Sequence, residues 1–503
     1  MKDKRNAIII GAGIGGIASA IRLAVDGFEV SVYESNEYPG GKLSDLTLQD
    51  FHFDAGPSLF TMPSLIEELF ELVNEPIETY FSYLKCKESC KYFFSDGTIV
   101  NAFTDKAKLS NELHDILGED QNSVLKYLNQ AETTYNNIGL IFLNYSLHKF
   151  STLVKAPIIN AFKYLYRGLL FGTLHHLNNN SFKNPKTIQI FDRYATFNGS
   201  NPYKAPGMLR MIPHLDNNIG TYYPKGGMIS ITNALYSLAL KKGVKFYFNS
   251  PVQEIILVGK KVKGIKTNNQ EYFSDVVVSN VDAYFTYKNL LNQPFKAFKI
   301  LKQERSSSAF IFYWGIRKDF PTLGLHNIFF AEDYKAEFEV LFKSKSFYHD
   351  PTIYINITSK CEPGLQAPMG KENWFVMVNA PANIGQDWED YYIKYKNAII
   401  LKLNRLLRTD LEPLIEVEEI LTPVTIENKT KSYMGSLYGT SSNSKMAAFI
   451  RHPNFSKSIT GLYFVGGSVH PGGGIPLCLQ SAKIMAKMVS EDFKLYSTQQ
   501  TFA

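Results

Sequence analysis

Gly11, Gly13 and Gly16 stand at the spacing G-x-G-x-x-G, with Ile14 and Gly15 filling the last interval, and Glu34 follows 18 residues after Gly16. A glycine at the first position permits a tight turn, at the second lets a charged ligand approach backbone N–H groups, and at the third lets a helix lie close on a strand. The chemistry is pyrophosphate binding at a helix N-terminus, where partial positive charge favours anions. A carboxylate at Glu34 can accept hydrogen bonds from ribose hydroxyls and disfavours a 2′-phosphate. The competing reading is a buried structural turn.

Two features favour FAD over NAD. Gly40, Gly41 and Lys42 form a second close-approach loop where a simple NAD domain would enter a helix, and Lys42 can offer charge to a phosphate. Asp54 and the following Ala-Gly-Pro can shape another tight turn, although an ordinary Gly/Pro loop is the alternative. Near the far end, Gly467, Gly473 and Gly474 precede a helix expected from Ile475. Its first amides can stabilise negative charge on a reduced flavin ring. Loops from both ends of a chain suit an elongated molecule such as FAD.

Candidates for proton chemistry are sparser. His470 is the nearest histidine in the flavin loop, against the reading that it shapes the loop through a backbone hydrogen bond. Asp192 and Arg193 are a candidate polar pair for the substrate domain, with a structural ion pair as the alternative. No triad or paired-acid pattern is visible. His175 and His176 lack metal-ligand spacing, so no metal site is expected.

These residues need elements to hold them. "NAIII" reads as a buried strand, "IGGIASAIRLAVDG" as a helix ending near Gly27, and Phe28 to Glu34 as a second strand. Residues 64–73 make an amphipathic helix, and 91–103 a hairpin turning at Asp96-Gly97. A helix ending at Gly243 feeds a strand over 244–248, after which the backbone of Val252 can reach an adenine edge. The apolar runs "AFIFYWGI", "PTIYINITS" and "NWFVMVNAP" read as strands of a second, mixed or antiparallel sheet. Residues 463–465 return as a strand before the C-terminal glycine loop. The expected fold is α/β: a Rossmann-type FAD-binding domain from residues 1–75, 220–300 and 416–503, and a mixed/antiparallel-sheet substrate domain from 76–219 and 301–415 with a helical insertion.

Bulk properties agree. The chain has 503 residues, 45% of them apolar, long enough for two or three domains. A net charge of +6 without a long basic block gives no sign of a nucleic-acid partner. Cys86, Cys90, Cys361 and Cys478 have no zinc or CxxC spacing, so reduced thiols are expected. The N-terminal apolar run is broken by the patterned glycines, which argues against a signal peptide and for a cytoplasmic chain. In residues 147–177, Lys149, Lys155, Lys163 and Arg167 alternate with apolar clusters and no acid intervenes. That pattern suits docking on an anionic membrane surface, or a buried helical pair with snorkelling lysines.

The stretches "IIIGAGIGGIASAIRLAVDGFEVSVYESNEYPGGK", "FHFDAGPSLFTMP", "YPKGGM" and "LYFVGGSVHPGGGIPLCLQSAK" resemble the phytoene-desaturase-type carotenoid desaturases of the amine-oxidase-like flavoprotein superfamily. Within that family, "FDAGPSLFT" is closer to the 1-hydroxycarotenoid 3,4-desaturases. The resemblance implies bound FAD, with Gly11, Gly13 and Gly16 on the pyrophosphate, Glu34 on the ribose, Gly41 and Lys42 following the pyrophosphate region, and Gly467 and Gly472 to Ile475 at the flavin end. It also implies a peripherally membrane-associated enzyme with a carotenoid substrate drawn from the lipid. The reaction expected is hydride transfer to flavin followed by proton loss, making the 3,4 double bond of a 1-hydroxylated acyclic or γ-carotene end, with oxygen or a quinone reoxidising the cofactor. The alternatives are a phytoene or other carotene desaturase, a flavin amine oxidase-like enzyme, and a non-catalytic flavin-stabilised membrane scaffold.

Overall fold

Short, mostly apolar runs make strands that helices can cover in a parallel sheet. In a computed structural model describing residues 5–146, 148–149, 152, 159, 164, 169, 172–268, 270–301, 303–444 and 451–493, five such strands form a parallel sheet. Their order is Leu462–Phe464, Val276–Ser279, Asn6–Ile10, Glu29–Tyr33 and Lys245–Tyr247. The first strand is central, with Ile8 opposite Val277 on one side and Ile9 opposite Val32 on the other. The helices Ile14–Val25 and Ile475–Asp492 pack on each other, burying Ile17, Ile21 and Met485 completely.

The aromatic-rich strands build a seven-stranded mixed sheet in the order Ile415–Leu421, Ser308–Ile316, Glu372–Ala380, Ile353–Ile357, His326–Phe329, Glu88–Phe93 and Ile99–Phe103. One neighbouring pair, His326–Phe329 with Glu88–Phe93, is parallel and the others are antiparallel. Side chains alternate across the sheet, as the two-residue period dictates. Phe312, Trp314, Trp374, Val376 and Ile355 pack beneath the helix Trp388–Leu407. Ile311, Tyr313, Phe375, Met377, Tyr354 and Ile328 turn to the other face and line a cavity. That cavity also reaches the glycine loop of the parallel sheet.

Several expectations need adjusting. The last strand of the mixed sheet, Ile415–Leu421, crosses the expected boundary at 415. Residues 252–273, assigned to the FAD-binding domain, form their own three-stranded antiparallel sheet. Of the basic stretch 147–177, Lys155, Lys163 and Arg167 lie outside the described residues. Lys149 is described, and its Nζ lies 3.8 Å from carboxylate oxygens of both Glu491 and Asp492, so an acidic partner meets that charge within the protein.

Asp54, at the end of the strand Phe51–Asp54, is bonded to the start of the helix Ile229–Lys241. Its Oδ1 accepts a 2.7 Å hydrogen bond from the N–H of Met228, and burial pushes its carboxyl up to about 7. A carboxyl with a higher pKa folded than unfolded takes up a proton on folding, so its contribution is full below the unfolded value and is lost as pH rises to about 7. Asp54→Asn keeps an acceptor for Met228 and removes the ionisation. The expected result is a higher melting temperature than wild type at pH 8 and no gain at pH 4. An equal gain at both would show that ionisation plays no part.

Candidate active site

The helix Ile14–Val25 has Gly13 as its N-cap, no capping side chain and no acid in its first turn. The helix Ile475–Asp492 begins after Gly474, at φ +104°, likewise without a capping side chain. Free helix N–H groups need partners. Gly13, Ile14 and Gly15 at one end, and Gly474 and Ile475 at the other, line the same cavity of about 1450 Å³. The close approaches depend on missing side chains. A Cβ on Gly16 would lie 2.1 Å from the carbonyl oxygen of Gly11, and Gly11 itself has φ +96°. A Cβ on Gly41 would touch the Cα of Gly13 at 3.4 Å, and one on Gly467 the Cα of Gly473 at 3.4 Å.

Glu34 closes this end of the cavity. Its Oε2 accepts from the N–H of Ala12 at 2.7 Å, and its Oε1 accepts from the N–H of Asn36 at 2.9 Å and from Ser35 Oγ at 3.1 Å. The carboxylate is therefore held rigidly at the strand end. Val252 lines the cavity beside it, because the N–H of Ser250 donates to the carbonyl of Glu34 at 2.8 Å. Lys42 lines the wall too, but its Nζ donates to the carbonyls of Leu437 at 3.0 Å and Ser436 at 3.3 Å. Burial pushes it down to about 8. Two backbone oxygens of the distant loop thus hold the ammonium at the wall of the cavity.

The three candidates for proton chemistry fare differently. His470 is fully buried outside the cavity wall, where its ring meets Phe142 edge-on and its Nε2 donates to the carbonyl of Tyr145 at 2.9 Å. Burial pushes its imidazole down to about 3, which leaves the ring neutral. Asp192 also lies outside the wall, bonded to His175 Nδ1 at 2.7 Å and Asn178 Nδ2 at 2.8 Å. Arg193 does line the cavity, but its partner is Asp216, at 3.7 Å, and not Asp192. Its guanidinium lies over Tyr194 at 4.8 Å and Phe197 at 5.0 Å. Adjacent residues at a helix end point in different directions, so the expected pair never forms.

Sequence reasoning passed over Asn280. It ends the strand Val276–Ser279 and lies beneath both glycine loops. A Cβ on Gly13 would sit 2.6 Å from its Nδ2, and one on Gly466 2.6 Å from its Oδ1. Arg451 is a second omission, a buried cation in the cavity wall whose Nη1 donates to the carbonyl of Tyr438 at 3.1 Å. A polar residue ending an apolar strand was the one available signal for Asn280. Arg451 gave none.

The flavin containing amine oxidoreductase family matches residues 14–309, more than half of the chain. The chain belongs to this family. Its cofactor is FAD, and it is an oxidoreductase. Among curated relatives, the 1-hydroxycarotenoid 3,4-desaturase of Flavobacterium sp. (strain P99-3) is 51% identical, over 96% of this chain and 99% of that protein. The 4,4′-diaponeurosporene oxygenase of Staphylococcus aureus (strain MRSA252) is 32% identical over 97% and 98%. Among solved structures, putrescine oxidase bound to putrescine superposes with a TM-score of 0.61 at 13% identity, covering 97% of this flavoprotein and 99% of that chain. At that identity the likeness is one of fold. The residues fit the cofactor: two helix N-termini without capping side chains and two close glycine-to-glycine approaches line one cavity.

Proposed function

We propose that the protein is an FAD-dependent desaturase that removes two hydrogens from neighbouring CH2 carbons near the hydroxylated end of a 1-hydroxycarotenoid, creating the 3,4 double bond. The observation that carries this reading is a straight apolar row across the mixed sheet. Leu421, Ile311, Met377, Tyr354 and Ile328 stand directly opposite one another on five successive strands, and all line the cavity. Four strand spacings of roughly 4.8 Å make a groove on the order of 19 Å long. That is the shape of a rigid polyene. The volume of about 1450 Å³ also exceeds the roughly 300–1,000 Å³ of an ordinary small-molecule site, which leaves room for two long ligands.

In this reading Gly11, Gly13, Ile14, Gly15, Gly16 and Gly41 hold the pyrophosphate, Glu34 and Val252 the adenosine, and Gly467, Gly473, Gly474 and Ile475 the flavin end. Bound FAD supplies the acceptor for the two electrons lost with the hydrogens. The protein's part is placement and exclusion of water. The apolar row holds the polyene extended, and the glycine contacts keep the cofactor side free of protruding side chains. Oxygen or a quinone completes the redox cycle.

The substrate's solubility points to a lipid source. Among the described residues no helix is long and apolar enough to cross a membrane. The helix Pro294–Leu301 nevertheless exposes Phe295 and Phe298, at 70% and 56%, beside Lys296 and Lys299. Exposed aromatics among lysines suit peripheral contact with anionic lipid at the cytoplasmic face.

Purified protein with FAD, mixed with liposomes carrying a 1-hydroxylated carotene, is expected to shift the pigment's absorbance to the red as conjugation lengthens. Absence of any shift from flavin-loaded protein, with peroxide and ammonia released on adding an amine, would replace this reading with the amine-oxidase one.

A further inference from the structure

One member of the apolar row is polar. Tyr354 Oη lies 2.7 Å from Ser58 Oγ and 2.8 Å from His326 Nδ1. The direction of these bonds can be worked out from the far end. Asn356 Nδ2 donates to the carbonyl of Leu325 at 3.1 Å, which fixes its amide, and the same nitrogen faces His326 Nδ1 at 3.2 Å. His326 Nδ1 is therefore an acceptor, and its proton sits on Nε2, which is buried and has no hydrogen-bond partner among the described residues. Burial pushes this imidazole down to about 3, so the ring stays neutral. An acceptor at Nδ1 makes the Tyr354 hydroxyl a donor. Its oxygen then accepts the hydrogen of Ser58. With its hydrogen committed, Ser58 Oγ has lone pairs left and stands in the cavity wall.

We propose that Ser58, oriented through Tyr354 and His326, accepts a hydrogen bond from the hydroxyl group of the substrate and selects an alcohol over a hydrocarbon or an ether. The inference rests on the desaturase reading and deepens it. Ser58 follows Gly56 by two residues, and a Cβ on Gly56 would sit 1.9 Å from the carbonyl oxygen of Lys42. The recognition loop is thus packed on the second glycine loop of the cofactor side. In a 1-hydroxy end group the carbon bearing oxygen is two bonds from the nearer carbon of the 3,4 bond. Anchoring the hydroxyl at Ser58 therefore fixes the reacting bond close to one rigid point, a positioning effect. Tyr354 and His326 are positioning residues for Ser58.

The test compares binding of three probes to the flavin-loaded protein by quenching of tryptophan fluorescence: a 1-hydroxy polyene, its 1-methoxy ether and the unsubstituted polyene. The ether can accept a hydrogen bond but cannot donate one. Wild type is expected to hold the alcohol about tenfold tighter than the ether, the yield of one net hydrogen bond. Ser58→Ala and Tyr354→Phe are expected to bring that ratio toward one, and Ser58→Thr to restore it. A wild-type ratio near one, or a ratio unchanged in both variants, overturns the proposal. If Ser58→Ala does not retain flavin, the ratio in Tyr354→Phe decides. Turnover of the alcohol by wild type is scored separately: no red shift removes the desaturase reading, whereas a red shift with an unmoved binding ratio removes the hydroxyl site alone.

Discussion

Gly16→Ala is expected to give a protein that is purified colourless and melts well below wild type. The added methyl carbon would lie 2.1 Å from the carbonyl oxygen of Gly11 and 3.3 Å from its carbonyl carbon. Both are main-chain atoms in the turn that presents the helix N-terminus, so neither can swing aside as a side chain would. Overpacking of a well-filled core costs about 1–3 kcal/mol and sometimes more. Here relief requires the helix to lift from the strand, which spoils the glycine loop. Gly27→Ala is the control within the same strand-helix-strand unit. Gly27 has φ +89° but nothing within 4 Å of its Cβ position, so only the backbone strain of about 1–2 kcal/mol applies. That variant is expected to keep its flavin. The ratio of flavin to protein absorbance reads both. Wild-type flavin content in Gly16→Ala would show that the helix does not need to approach the strand so closely.

Arg193→Met is expected to destabilise the protein strongly at pH 8 and much less at pH 5. Arg193 and Asp216 are 8% and 2% exposed and lie 3.7 Å apart. Burial already pushes the Asp216 carboxyl up to about 6, against the pull of the guanidinium. Without that cation the carboxyl rises further and must be protonated, or remain charged and unpaired, on folding. Breaking a buried pair in this way costs about 3–5 kcal/mol. The sign follows from a folded pKa above the unfolded one: stability is retained below about pH 4 and lost as pH climbs through the folded value. Arg193→Met with Asp216→Asn removes both charges and is expected to recover most of the loss at pH 8, as interacting residues do. Melting temperatures at the two pH values measure it. A loss independent of pH, or no recovery in the double variant, would assign the role of Arg193 to its packing on Tyr194 and Phe197.

What could be read from the sequence was local. The spacing Gly11, Gly13 and Gly16 and the placement of Glu34 concern one strand-helix-strand unit, and the structure keeps them within it. The strands Ser308–Ile316 and Glu372–Ala380 were legible because large apolar residues run without a break from Phe310 to Trp314 and from Trp374 to Val378. The residues that were not legible owe their place to partners far along the chain. Asn280 reaches the glycine loop because its strand lies beside residues 6–10, some 270 positions away. The groove depends on register among five strands, and register is not written in any one of them. Asp192 and Arg193 look like a pair when adjacent in sequence, yet each answers to a different element. His470 sits in the right loop, but its side chain turns to the segment around Phe142 and away from the cavity.

Gly13 and Gly474 are 461 positions apart, yet the helices they begin lie against each other. During synthesis the first helix emerges from the ribosome long before the last exists. Ile17 and Ile21 gain part of their cover early, from the strand Glu29–Tyr33 and the helix Ile229–Lys241, and the cover that residues such as Met485 provide comes last. The cavity wall at Ile475 is therefore among the last parts of the site to be made, and a message truncated just before codon 475 would yield a chain with the full glycine motif but without the second helix N-terminus.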